Sequence, residues 1–122
     1  MEDNMATRSR IGIKNPDGTI VSVYCHWDGY LSNNGRILLN SYNNEDYVYE
    51  LMTKGDMSFL DDSVSNCKFY EDSRAIAHKS EDEFIKEGEE YNYLFKDGKW
   101  YYNKYSVDDF KELTIVEINK DL

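Results

Sequence analysis

Apolar and polar positions alternate towards both ends of the chain and follow a helical spacing in between. Ile11 and Ile13 alternate with Gly12 and Lys14. In residues 19–25, Val21, Val23 and Cys25 share one face, with Ile20, Ser22 and Tyr24 on the other. Asn15-Pro16-Asp17-Gly18 separates the two runs. Proline presets one backbone torsion and glycine accepts a positive one, so this segment predicts a tight turn and the whole a β-hairpin. After a loop through Ser32-Asn33-Asn34-Gly35, residues 36–42 read as a short helix carrying Ile37, Leu38 and Leu39. Glu45–Lys54 reads as a second helix, with Asn43 or Asn44 as its cap and acids in its first turn. Tyr47, Val48, Leu51 and Met52 give it an apolar stripe, and Gly55 stands just past its end. Met57, Phe59 and Leu60 then come down on the core.

The second half has the same grammar. Cys67-Lys68-Phe69-Tyr70 predicts a strand, whereas residues 71–79 fit neither period. Ser80-Glu81-Asp82-Glu83 is a capping-box pattern opening a short helix that stops at Gly88. Tyr91, Tyr93 and Phe95 alternate, as do Trp100 and Tyr102, and Asp97-Gly98 between them signals a second hairpin. Ser106 or Asp108 opens a turn, and residues 113–118 predict a final strand. Tight turns imply antiparallel pairing, and helices grouped between hairpins imply an α+β layer. The expectation is one compact domain over residues 1–122, mainly antiparallel sheet with two or three short helices packed on one face. Residues 1–7 read as a flexible tail, in which Met5 offers an alternative start to Met1.

Composition narrows the function classes. The 122 residues hold 24 acids against 14 bases, a net charge of −10. Eight of the 24 acids lie in residues 1–60 and 16 in residues 61–122. That field disfavours direct nucleic-acid binding, which depends on cations displacing counterions from phosphates. It suits a basic patch on a protein partner, or it serves solubility alone. No apolar run approaches a membrane span, and the polar start Met1-Glu2-Asp3-Asn4-Met5 does not resemble a secretory signal. Two cysteines are too few for a disulfide framework, so the expected location is the cytoplasm. Eleven Tyr, five Phe and two Trp raise the prior for a binding surface modestly.

The reactive residue types concentrate in Tyr24-Cys25-His26-Trp27-Asp28-Gly29-Tyr30. Cys25, His26 and Asp28 are the types of a thiol catalyst, but neighbours on a strand point to opposite faces, so Cys67 or His78 would have to complete it. The plainer reading makes Cys25 a small core residue. The cysteine and histidine spacing matches no zinc ribbon or finger, so no metal or other cofactor is expected. Arg8, Arg10 and Lys14 form a local basic cluster, and Gly35-Arg36 opens a helix in a way that suits an anion. Arg10, Tyr24, His26, Trp27, Asp28, Tyr30 and Arg36 are therefore the candidate ligand pocket. Glu81, Asp82, Glu83, Glu87 and Glu90 form an acidic ridge. With Tyr91, Tyr93, Trp100 and Tyr102 of the following hairpin, they are the candidate partner-binding surface.

Ser9-Arg10-Ile11-Gly12-Ile13, Asp17-Gly18-Thr19 and the Tyr24–Tyr30 heptapeptide together resemble a group of small proteins encoded by tailed bacteriophages. Gly35, Leu38, Leu39, Tyr42 and Gly55-Asp56 fit the same order, and the resemblance covers residues 8–60. It implies a phage origin and the host cytoplasm, and it transfers no catalytic residue. Three functions follow as expectations. The first is a non-catalytic acidic inhibitor that blocks a bacterial defence or nucleic-acid-handling protein, an anti-CRISPR-like role included. The second is a protein that sequesters a small nucleotide signal. The third is an enzyme using Cys25 or His26. A homodimer through an edge strand at residues 113–118 is a further expectation.

Overall fold

The computed structural model describes residues 6–105 and 109–121. The chain forms a single α+β unit around one eight-stranded sheet. In chain order it runs β1 (Ser9–Lys14), β2 (Ile20–Cys25), a π-helical turn (Leu31–Gly35), α1 (Arg36–Ser41), α2 (Glu45–Lys54) and β3 (Met57–Phe59). A 3-10 turn (Val64–Asn66), β4 (Lys68–Phe69), β5 (Ile76–His78) and α3 (Glu81–Lys86) follow, then β6 (Tyr91–Lys96), β7 (Lys99–Lys104), β8 (Lys111–Glu112) and α4 (Ile115–Lys120).

Both predicted hairpins form, β1 with β2 and β6 with β7, each antiparallel and in continuous register. They are joined at the centre by a parallel pairing, Ser9↔Tyr91 through Ile13↔Phe95, where hairpin logic alone suggests only antiparallel contacts. β2 meets β5 through Ile20–Ser22 and β3 at Cys25, along the edge away from β1. The sheet order is β4-β3-β2-β1-β6-β7-β8.

One face of the sheet carries the main core. Ile11, Ile13, Val23, Cys25, Tyr93, Phe95 and Trp100 pack there against Leu38, Val48, Leu51 and Ile118 of the helices. α2 starts where Asn44 accepts a hydrogen bond from the Tyr47 amide and ends at Gly55. The opposite face has a smaller apolar plug, Ile20, Leu94 and Phe84, with Phe110 against it. Phe84 belongs to α3, so one of the four α-helices among the described residues covers this second face. Glu81 ties α3 to the sheet, accepting from Lys14 and Lys96 at 2.9 Å each.

Four sequence expectations are corrected. Residues 113–118 are not a strand: Thr114 caps α4 by accepting from the Glu117 amide, and this Thr-x-x-Glu box outweighs the β-branched run that follows. The edge strand invoked for a homodimer is therefore absent at that position, and the β7 side ends in the two residues of β8. Ala6 is buried and Thr7 accepts from the Gly29 amide, so the tail reading does not hold for these two residues; residues 1–5 lie outside the described part. The turn expected at Ser106 or Asp108 also lies outside it. Finally, Tyr91, Tyr93, Trp100 and Tyr102 are core residues, at most 6% exposed, because alternation along β6 and β7 turns them inward. They offer no partner surface; the exposed ring of that segment is Tyr105.

Glu81 also sets a pH dependence. Burial pushes its carboxyl up, but the two lysine bonds outweigh burial and hold it below its ordinary value of 4.5. A lowered native value means the contribution is complete above pH 4.5 and fades as pH falls through the native one. Glu81→Gln should therefore cost about 1 kcal/mol or less at pH 7, as half-exposed pairs do. The gap between the variant and the unaltered protein should close below pH 4 in thermal unfolding.

Candidate functional site: the polar face of the sheet

Alternation along β1 sends Ile11 and Ile13 into the main core and Arg10 to the opposite face. On β2 the same rule turns Ser22 and Tyr24 to that face. The register places Arg10 across from Tyr24 and Gly12 across from Ser22. Arg10 reaches diagonally and donates from Nη1 to Ser22 Oγ at 2.7 Å. Ser22 Oγ lies 2.7 Å from His78 Nε2, and His78 Nδ1 lies 2.6 Å from Glu87 Oε1. One step along, Arg8 Nε donates to Tyr24 Oη at 3.1 Å, and Tyr24 Oη lies 2.7 Å from His26 Nδ1. Each relay runs arginine, hydroxyl, imidazole. In each relay the hydroxyl accepts from its arginine, and the tautomer of the ring sets whether the imidazole nitrogen donates to that hydroxyl or accepts from it.

Other loops close the rim. Trp27 stands edge-on to His26 with ring centres 4.8 Å apart. Asp56 accepts from the Tyr24 amide at 2.8 Å. Asn92, fully buried, accepts from the Glu89 amide and donates to the Glu89 carbonyl, which fixes the turn after α3. Glu90 accepts from the Arg8 amide.

Arg10 dominates the electrostatics. Its side chain is buried, and burial pulls the guanidinium below its ordinary value while Asp56, Glu89 and Glu87 pull it back. Among the described residues it makes one hydrogen bond, to Ser22, and no ion pair. Burial raises the Tyr24 hydroxyl above its ordinary value, against the Arg8 bond that lowers it.

Of the predicted pocket, the fold brings Arg10, Tyr24, His26 and Trp27 together and separates the other three. Tyr30 packs against the main core on the opposite face. Asp28 is exposed at φ 58°, and exposed Arg36 donates back to the Ser32 carbonyl. Of the acidic ridge, Glu81 is bound to two lysines, Glu83 accepts from the Lys79 amide, Glu87 faces His78 and Glu90 holds the Arg8 amide. Asp82 is exposed on α3. Ser22 and Asp56 carry no motif signal for this site, His78 is expected only as a completion of a Cys25 thiol site, and Glu89 only as part of the acidic ridge. Ser22 was placeable from strand alternation, but His78 sits on a three-residue strand in a segment without periodicity.

Two nucleophile arrangements are removed by burial. Ser22, His78 and Glu87 have the order of a hydrolytic triad, but Ser22 is fully buried in mid-strand, where no electrophile reaches Oγ. Cys25 is also fully buried, and burial pushes its thiol up to about 11, away from the thiolate a nucleophile needs.

Two surface clefts among the described residues lie elsewhere. One of about 340 Å³ sits between the two hairpin tips, lined by Lys14, Pro16, Glu45 and Lys96. Another of about 400 Å³ lies beside α2, lined by Tyr47, Glu50 and Asp62. Cleft volume alone does not make a site, and the convergent titratable groups are on the polar face. No family model matches the chain, and no curated protein or solved structure shows significant similarity to it. Among the described residues, no helix is long and apolar enough to cross a membrane.

Proposed function

We propose that this is a non-catalytic binding protein that holds a small phosphate-bearing ligand of the nucleotide class on the polar face. The observation that carries the reading is Arg10, a buried guanidinium whose fork of N–H donors is spent on described residues in one bond only. A phosphate oxygen pairs with such a fork in charge-assisted bonds. Tyr24, His26 and Trp27 beside it offer ring faces and edges for a base. Asp56 and Glu89 lower the positive potential, which favours a ligand of low charge, a cyclic mono- or dinucleotide, over a triphosphate. Such a protein sequesters a signal rather than converting it.

A thermal-shift series with cyclic mono- and dinucleotides tests the reading. At a ligand concentration 100 times Kd, binding adds about 2.7 kcal/mol. For a domain of this size that raises Tm by on the order of 10 °C. No shift with any member of the series at millimolar concentration overturns it.

The net charge supports a second reading, in which the protein occupies a basic surface of a host or defence protein. The cleft beside α2 combines the exposed ring of Tyr47 with Glu50 and Asp62, a combination that suits a lysine or arginine side chain. Charge reversal at Glu50 and Asp62 should then abolish capture of one dominant partner. Capture left unchanged refutes it.

A further inference from the structure

We infer that His78, Glu83 and Glu87 form a binding site for a divalent cation of the zinc class. The histidine and cysteine spacing gave no such site, because two of the three ligands are carboxylates from a different element. His78 ends β5 and is buried, while Glu83 on α3 and Glu87 just beyond it stand one helical turn apart. One ring nitrogen of His78 and one oxygen of each carboxylate all lie within 4.8 Å of one another, and Nδ1 is the nitrogen that faces Glu87.

Zinc binds nitrogen and oxygen at about 2.0–2.2 Å, which places donors in a tetrahedral set about 3.4 Å apart. To reach that geometry the His78–Glu87 pair, now 2.6 Å apart, has to open by about 0.8 Å, and the wider separations, up to 4.8 Å, have to close by at most about 1.4 Å. Small rotations of the two glutamates achieve it, since neither is buried. The ring keeps its orientation: Nδ1 already faces Glu87 Oε1, at 2.6 Å, and the carboxylate swings aside to admit the ion.

The surroundings orient the ligands. An ion on Nδ1 takes the lone pair there and leaves the ring proton on Nε2, which faces Ser22 Oγ at 2.7 Å. Ser22 Oγ then accepts from both His78 and Arg10 and keeps its own proton. Glu83 Oε1 accepts from the Lys79 amide at 2.8 Å, which fixes that carboxylate and leaves its second oxygen for the ion. One imidazole and two carboxylates suit zinc, and the imidazole disfavours calcium and magnesium. Three protein ligands leave a fourth position for water on the side of half-exposed Glu87.

Calorimetric titration of the metal-free full chain with zinc chloride at pH 7 tests the inference. The expected result is one ion per chain with Kd of about 1 μM or tighter, on the order of 8 kcal/mol. Glu83→Gln with Glu87→Gln should weaken it by about 100-fold or more, since even supporting groups contribute 10–100-fold. Asp82→Asn, a neighbour on α3, and Cys67→Ser, which removes the half-exposed thiol, should leave it unchanged. In the unaltered protein the His78 ring resonances should shift with added zinc, a readout that needs no variant. The inference fails if the unaltered chain binds no zinc at 100 μM, if the double glutamine variant binds as tightly, if Cys67→Ser abolishes binding, or if the His78 ring does not respond.

Discussion

Replacing Trp100 by alanine should cost about 3–5 kcal/mol, the largest loss from any single truncation in this core. Trp100 is 2% exposed, stands edge-on to Phe95 with ring centres 5.2 Å apart, and donates from Nε1 to the Tyr42 carbonyl at 2.9 Å. The truncation empties a cavity and also leaves the carbonyl that closes α1 without its donor. A buried acceptor stripped of its partner adds about 1–3 kcal/mol of its own. Domains of this kind hold about 5–15 kcal/mol in total, so the variant should sit near its unfolding midpoint under mild denaturant. Urea unfolding of Trp100→Ala against Trp100→Phe reads the effect. A loss below about 1 kcal/mol would contradict the packing described.

The second large effect is expected at Gly55, and it reaches the polar face. Gly55 ends α2 at φ 87°, ψ −160°. A Cβ there would lie 2.6 Å from the Ser73 carbonyl oxygen and 2.7 Å from its hydroxyl. Ser73 Oγ is also the acceptor for the Asp56 amide, and Asp56 accepts from the Tyr24 amide. Gly55→Ala therefore combines backbone strain of about 1–3 kcal/mol with displacement of the loop that carries Asp56. The expected total is about 3 kcal/mol or more in chemical unfolding, accompanied by weaker ligand binding. Gly98→Ala is the matched control. It too has positive φ, 76°, but a Cβ there meets nothing within 4 Å. It should cost about 1 kcal/mol and leave binding unchanged.

The hairpins, α2 and α3 were legible in the sequence because period and punctuation agreed. Asn44, Ser80 and Gly55 mark boundaries that local chemistry decides. α4 was not, because Ile115, Val116 and Ile118 follow Thr114 as a β-branched run that competes with the Thr114–Glu117 box. The parallel pairing of β1 with β6 leaves no local trace, since it joins segments 82 residues apart at Ser9 and Tyr91. The site divides along the same line. Arg10, Tyr24, His26 and Trp27 were found together because neighbouring strands and one loop supply them. Tyr30 and Arg36 are close to them in sequence, yet Tyr30 packs against the main core and Arg36 is exposed at the start of α1. Ser22 and His78, which organise the buried relay, meet only once β5 pairs with β2.

If Arg10 holds a phosphate on the polar face, as proposed, Arg10→Met shows it most directly. Methionine keeps most of the buried stem while removing the charge and the donors. Circular dichroism should show an unchanged fold. Calorimetry with the cyclic nucleotide that binds the unaltered protein should give Kd raised by about 100-fold, the loss of a charge-assisted bidentate pair. Equal affinity of the folded variant would contradict the account and move the ligand away from this face.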